Sequence, residues 1–248
     1  MLIIKIPLCP EKTGEELAPE AVAEQLMKNT SLCCAFKYAE IKLGNKDIEE
    51  DQNKIFQNID NLESSATFLG GIHQITYPCF KAAAKKYEGM GLILFDAHPD
   101  VLKTDYLRRL IEEEIIEPEK IIIVGVRNIA PEELEFLKKR RMNFITMHQI
   151  FDNGIQEVCS AIMERTINWP AAYISLDIDV IDPAFAPGTN AHEPGGFSST
   201  EILYFIRRLR NMKNLKYFDL VEINPTKDIN YITSKLGAKI VEELVSAK

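Results

Sequence analysis

The stretch GLILFDAHPD, residues 91–100, decides how the rest of the chain is read. It opens with the unbroken apolar run Gly91–Phe95 and closes on three side chains able to hold a proton or a cation, Asp96, His98 and Asp100. A short apolar run without polar alternation marks a strand buried on both faces, as in a parallel sheet covered by helices. If the backbone stays extended past Phe95, spacings of two and four put the three polar side chains on one face.

The same pattern recurs on both sides. Further β-rich apolar runs are predicted to form strands at residues 2–7, 36–43, 66–69, 120–126, 143–147, 172–176 and 216–221. Amphipathic stretches between them predict helices at 19–28, 47–62, 77–87, 104–114, 131–139, 148–164, 199–209 and 232–245. Pro19 and Glu20 form a favourable opening for the first of these. Repeated strand–helix order implies an α/β fold, a three-layer α/β/α arrangement with a mainly parallel sheet of about eight strands. No repeat, low-complexity tract or linker composition interrupts the 248 residues, so one domain is expected over the whole chain. In such sheets ligands bind in the crevice outside the carboxyl ends of the strands.

Three strand ends carry the chemistry. Besides Asp96, His98 and Asp100, the run YISLDIDVIDP (173–183) ends on Asp177 and Asp179, and ATFLGGIH (66–73) ends on His73. Carboxylates gathered at sheet ends repel one another unless a cation neutralises them. Oxygen-rich donors with a minority of imidazole suit manganese or a similar hard ion better than structural zinc. Six ligands exceed the need of one open site, and bridging carboxylates would hold a pair of ions. Such a pair can activate one water by lowering its pKa. Asp182, ahead of Pro183, reads as a turn residue. Asp219 and Ser175 are expected to support the site by hydrogen bonding.

A formal net charge of −8 disfavours nucleic acid and anionic membrane as partners. No apolar run is long enough to span a bilayer. Residues 1–6 turn polar too early for a signal peptide. The five cysteines, Cys9, Cys33, Cys34, Cys79 and Cys159, form no C-x-x-C and no plausible disulfide framework. Reduced thiols and a cytoplasmic location are the expectation.

The ordered motifs GGIH (70–73), DAHPD (96–100), SLDIDVIDPAFAPGTNAHEPGG (175–196) and DLVEINP (219–225) closely resemble those of the ureohydrolases, the arginase and agmatinase family. The resemblance extends to KIPLCPEKTGEELAPEAVAEQL (5–26) and VGVRN (124–128). It implies an eight-stranded parallel sheet, agreeing with the reading above. It also implies one manganese on His73, Asp96, Asp100 and Asp177, and a second on Asp96, His98, Asp177 and Asp179. Asp100 and Glu222 would be catalytic, with Glu222 pairing with a substrate guanidinium. The activity implied is hydrolysis of a C–N bond in a small guanidino or amidino compound, agmatinase-like, releasing urea and an amine. Homo-oligomers, trimers or hexamers, are implied as well.

Three departures from the family pattern matter. Ile72 replaces an acid or amide beside His73. The short segment 101–125 contains no histidine, where the family usually has a longer loop with a proton-shuttling histidine. PGTNAHEPGG (187–196) stands where PGTGTPEPGG is typical, bringing in Asn190 and His192. His192, titratable near neutrality, is then the candidate acid–base group. With Asn190 and Glu222 it is also a candidate substrate contact, whereas His148 reads as an ordinary helix-start residue and Glu193 as loop structure. Two other readings stay open: a deacetylase-like amide hydrolase of the same fold, which normally holds one zinc, and a metal-stabilised relative without turnover.

Overall fold

A computed structural model describes residues 1–28, 36–62 and 65–245. The apolar runs become strands β1 (Leu2–Ile6), β2 (Lys37–Glu40), β3 (Ala66–Gly70), β4 (Gly91–Phe95), β5 (Ile121–Val126), β6 (Asn143–Thr146), β7 (Ala172–Asp177) and β8 (Leu215–Val221). They pair in the order β2-β1-β3-β8-β7-β4-β5-β6, and every pairing is parallel. The expected "mainly parallel" sheet is therefore wholly parallel among the described residues. Parallel strands need crossover connections, and helices fill them: α1 (Ala18–Met27), α2 (Ile48–Asp60), α3 (Thr76–Ala84), α4 (Tyr106–Glu112), α5 (Pro131–Lys139), α6 (Met147–Asn153), α7 (Ile155–Thr166) and α8 (Ser199–Leu209), with α9 (Ile232–Val245) following the last strand.

Alternation along the strands feeds two cores. Ile93 and Phe95 of β4, with Ile174 and Leu176 of β7, pack under Val22, Ile162, Phe205 and Ile240 from α1, α7, α8 and α9. Leu92 and Leu94, with Tyr173, pack under Ile55, Phe80, Leu110 and Leu137 from α2, α3, α4 and α5. Burying each such side chain contributes roughly 1.5–3 kcal/mol, so both layers are held by the sheet's own period of two.

Segment 148–164, expected as one helix, is two. Gly154 sits between them at φ 86°, a left-handed backbone that closes α6 and opens α7. Ser198 caps α8 by accepting from Glu201 N, while the Glu201 side chain accepts from Ser198 N, a reciprocal pair. Cys9, Cys79 and Cys159 are free and buried; Cys33 and Cys34 lie outside the described residues. Burial pushes the Cys79 thiol well above its ordinary range, which keeps it protonated and unreactive. No helix among the described residues is long and apolar enough to cross a membrane.

At Gly91 a Cβ would come within 2.1 Å of the Trp169 ring. Gly91→Ala is therefore expected to destabilise by about 1–3 kcal/mol through overpacking. That corresponds to about 2–4 °C per kcal/mol for a domain this size, read in a thermal melt. An unchanged midpoint would contradict the packing at this strand start.

The chain runs β1, then β2 on one side and β3 on the other, and then leaves a gap before β4. Strands β8 and β7 later fill that gap. The four central strands β3, β8, β7 and β4 thus come from distant parts of the sequence, and their carboxyl ends lie side by side.

Candidate metal centre

Every metal-ligand or substrate residue expected from the sequence, the 187–196 loop excepted, lies at or just after the carboxyl end of one of those four central strands. His73 begins the turn after β3, Glu222 follows β8, Asp177 ends β7, and Asp96, His98 and Asp100 follow β4. The backbone does not stay extended past Phe95, contrary to the simple alternation expected. His98 N donates to Asp96 Oδ1 at 2.7 Å, and Asp100 lies at φ 53°. After β7 the chain closes a 3-10 turn over Ile178–Val180, with Asp179 N donating to Asp177 Oδ1 at 2.8 Å. Aspartate favours such turns because its carboxylate accepts from the backbone two residues on. One oxygen of each of Asp96 and Asp177 thus shapes the turn, and the other is aimed inward.

His73 Nδ1 is 3.3 Å from Asp96 Oδ2, 3.2 Å from Asp100 Oδ2 and 3.1 Å from Asp177 Oδ2. His98 Nδ1 is 2.9 Å from Asp179 Oδ2 and 3.5 Å from Asp96 Oδ1. The candidate ligand atoms of His73, Asp96 and Asp177 lie within 4.8 Å of one another, as do those of Asp96, His98 and Asp179. Asp96 belongs to both groups. His73 Nδ1 and Asp96 Oδ2 are buried without a hydrogen-bond partner. Orphaned buried polar atoms are costly, and a cation between them is the species that would satisfy both.

The electrostatics agree. Burial, with the neighbouring charges of Asp100 and Asp179, pushes Asp96 up to about 6. Burial and the charges of Asp179 and Asp96 push Asp177 well above the ordinary carboxylate range. Burial opposes charge on His98, yet hydrogen bonds to Asp179 and Asp96 raise it to about 12. The cluster draws protons onto itself because it lacks positive charge, which is the demand a divalent pair would meet.

Glu222 occupies left-handed backbone, φ 64°, a conformation that costs a non-glycine residue about 1–3 kcal/mol and persists where the surroundings enforce it. A reciprocal clasp enforces it here: Glu222 N donates to Gly71 O at 2.8 Å, and His73 N donates to Glu222 Oε1 at 2.6 Å. Glu222 Oε2 takes no hydrogen bond from any described residue. Burial raises this carboxyl to about 8. Gly71 itself must be glycine, since a Cβ would meet Leu8 O at 2.2 Å. Ile72, the apolar departure beside His73, packs against the α2–α5 core.

The 187–196 loop is pinned from several sides. Arg127 donates from Nη2 to Glu193 O at 2.7 Å and to Asp179 O at 2.6 Å, joining this loop to the turn after β7. Asp182 accepts from Gly195 N at 2.7 Å and from Ala184 N at 2.9 Å, the turn role read from sequence. Asn190 Oδ1 accepts from Asn224 Nδ2 at 2.9 Å. His192 is exposed, and its Nε2–H donates to Pro187 O at 2.9 Å; none of its hydrogen bonds reaches the carboxylate cluster. His148, also exposed, is the second residue of α6.

Two partners of the histidines were not evident in the sequence. Glu193 Oε1 accepts from Asn128 Nδ2 at 2.7 Å and lies 3.5 Å from His98 Nε2. Tyr106, from the segment without histidine, places its hydroxyl 3.0 Å from His73 Nε2. Ser175 Oγ lies 2.9 Å from the same nitrogen and donates to Asp219 Oδ1 at 2.6 Å. The other Asp219 oxygen accepts from Tyr173 and Thr76. This is the supporting role expected of Ser175 and Asp219. Tyr106 carries no motif and Glu193 reads from sequence only as loop structure, so tertiary placement is what reveals their contacts with the histidines.

The central strand ends of this parallel α/β/α protein bring carboxylates and imidazoles into two groups, each of which could hold a metal ion. The chain belongs to the arginase family, whose model matches residues 9–246. It is 32% identical over 197 residues to the proclavaminate amidinohydrolase of Streptomyces clavuligerus, covering 74% of this chain and 62% of that one. It is 32% identical over 203 residues to the agmatinase of Bacillus subtilis, covering 77% and 67%. The crystal structure of formimidoylglutamase from Bacillus subtilis superposes with a TM-score of 0.91 at 27% identity, covering 98% of this chain and 85% of that one.

Proposed function

We propose that this chain hydrolyses a C–N bond in a small guanidino or amidino compound, releasing urea and an amine when the substrate is guanidino. The observation that carries the reading is the approach of three carboxylates to within 3.3 Å of His73 Nδ1, at the strand ends of an arginase-family chain. Two divalent ions, manganese in our reading, would be held by His73, Asp96, Asp100 and Asp177 and by Asp96, His98, Asp177 and Asp179. Bound there, they would supply a water nucleophile near neutral pH and charge stabilisation.

The chain's own residues divide the remaining work. Glu222 Oε2, without a donor among the described residues, binds the cationic amidine group and orients its carbon. Asp100 is the more open carboxylate, with 26% of its side chain exposed against 1% for Asp96, and its Oδ2 can accept the proton that the attacking water loses. His192 donates a proton to the leaving nitrogen after giving up its bond to Pro187 O. Related proteins bear the names agmatinase and formimidoylglutamase, so both substrate types belong in the test.

The direct assay incubates the manganese-supplemented protein with agmatine, with guanidino acids including arginine, and with formimidoylglutamate, and measures release of urea or, from formimidoylglutamate, of formamide. Turnover of one of the smaller guanidino compounds is expected, and silence across the panel would count against hydrolysis. His192→Ala is expected to lower kcat by about 10²-fold and remove the limb of the pH profile that reports a protonated acid. Unchanged kcat and pH profile would remove His192 from the reaction.

A further inference from the structure

We infer that Tyr106 is a positioning residue for His73, fixing the imidazole so that Nδ1 faces the carboxylate cluster; this rests on the metal-site reading above. A histidine that offers the Nδ1 lone pair to a cation must carry its ring proton on Nε2. His73 Nε2 meets two oxygens, Ser175 Oγ at 2.9 Å and Tyr106 Oη at 3.0 Å. The direction of these bonds follows from Asp219. That carboxylate only accepts; it takes the Ser175 hydrogen on Oδ1, and the Tyr173 and Thr76 hydrogens on Oδ2. Ser175 Oγ, its hydrogen committed, accepts from Nε2–H. With the ring proton on Nε2, the Tyr106 oxygen is a second acceptor for the same nitrogen.

Tyr106 also constrains the ring by packing. It is 1% exposed, and its ring centroid lies 4.4 Å from that of His73 at an interplanar angle of 31°. A rotation of the imidazole that carried Nδ1 away from Asp96, Asp100 and Asp177 would sweep into this buried phenol. The residue is the first of α4, which packs on α3 and is anchored below by Leu107, Leu110 and Ile111. The histidine-free segment after Asp100 therefore contributes to the site through a different chemistry, by holding a ligand rather than by shuttling protons.

The test is Tyr106→Phe, which keeps the ring and removes the hydroxyl. Manganese affinity is measured by titration against a competing chelator, alongside the exchangeable imidazole N–H signals of the cobalt-loaded protein in paramagnetic NMR. The variant is expected to bind one equivalent about tenfold more weakly, at the low end of the effect of losing a ligand's hydrogen-bond partner. The other equivalent should stay within about twofold, and one shifted N–H signal should exchange faster with water. A loss of general packing would lower both affinities together, overturning the inference. So would a variant indistinguishable from wild type. Wild type alone supplies a second test: its cobalt form should show a slowly exchanging His73 N–H, and rapid exchange there would contradict a nitrogen held by two buried oxygens. A wild type that takes up no manganese or cobalt overturns the metal reading itself, an outcome distinct from the others.

Discussion

Asp177→Asn is expected to lower C–N hydrolysis by about 10³-fold, the equivalent of roughly 4 kcal/mol of transition-state stabilisation from a bound cation pair. Asparagine fills the same volume and can still accept from Asp179 N, so the 3-10 turn after β7 should persist. What is lost is one negative charge 3.1 Å from His73 Nδ1, shared by both proposed ions. Stability should respond with opposite signs in the two metal states. In chelated wild type, burial first and then the charges of Asp179 and Asp96 raise the Asp177 carboxyl, which expresses the cost of holding its charge there. Removing its charge should leave the chelated variant melting at or above chelated wild type. Added manganese stabilises wild type by RT ln(1 + [L]/Kd), about 2.7 kcal/mol at a hundredfold excess over Kd. The variant should gain far less, and the order of the two melting curves should reverse. Parallel shifts for both proteins would mean that Asp177 does not hold the ion.

Glu222→Gln is expected to cost about 10²-fold in kcat/KM, since leaving a buried cation without its charged partner costs about 2–5 kcal/mol. Its effect should be separable from that of Asp177→Asn. Glutamine retains an oxygen for His73 N and the backbone bond to Gly71 O, so the clasp between β3 and β8 should survive. Manganese content should therefore stay at the wild-type level while activity falls. Neutral substrate analogues should be affected much less than cationic ones. A variant that loses metal instead would place Glu222 among the ligands, and one with full activity would remove it from substrate binding.

Much of this was legible in the sequence because the strands β3, β4 and β7 are short, largely apolar runs with unusual polar residues at or just after their ends. GLILF, AAYISL and ATFLG announce buried strands, and DAHPD, DID and GGIH follow them directly. Strand order was harder to read. Parallel partners are non-local, and no local pattern tells that β7 and β8 fill the gap between β4 and β3. The convergence of Asp96, His98 and Asp100 was foreseen, but its means was not. A left-handed turn at Asp100 and carboxylates capping their own backbone replace the extended alternation expected.

Gly154 shows the same limit. A single glycine inside an amphipathic stretch is often tolerated, and here its positive φ splits the helix. Tyr106 escaped notice, and Glu193 was read only as loop structure, for a further reason. Residues that act on a ligand's remote nitrogen need no fixed spacing from it in sequence, only proximity in the fold. His192 was singled out by its place in the 187–196 loop, where the family pattern has proline, and the structure finds its ring engaged with Pro187.

Anomalous diffraction from crystals grown with manganese addresses the metal centre most directly. Two peaks are predicted about 3.5–4 Å apart, as in two-metal hydrolytic sites. One should be bound by His73 Nδ1 with Asp96 and Asp177, and the other by His98 Nδ1 with Asp96 and Asp179. No anomalous density among these side chains, or ions bound elsewhere on the protein, would contradict it.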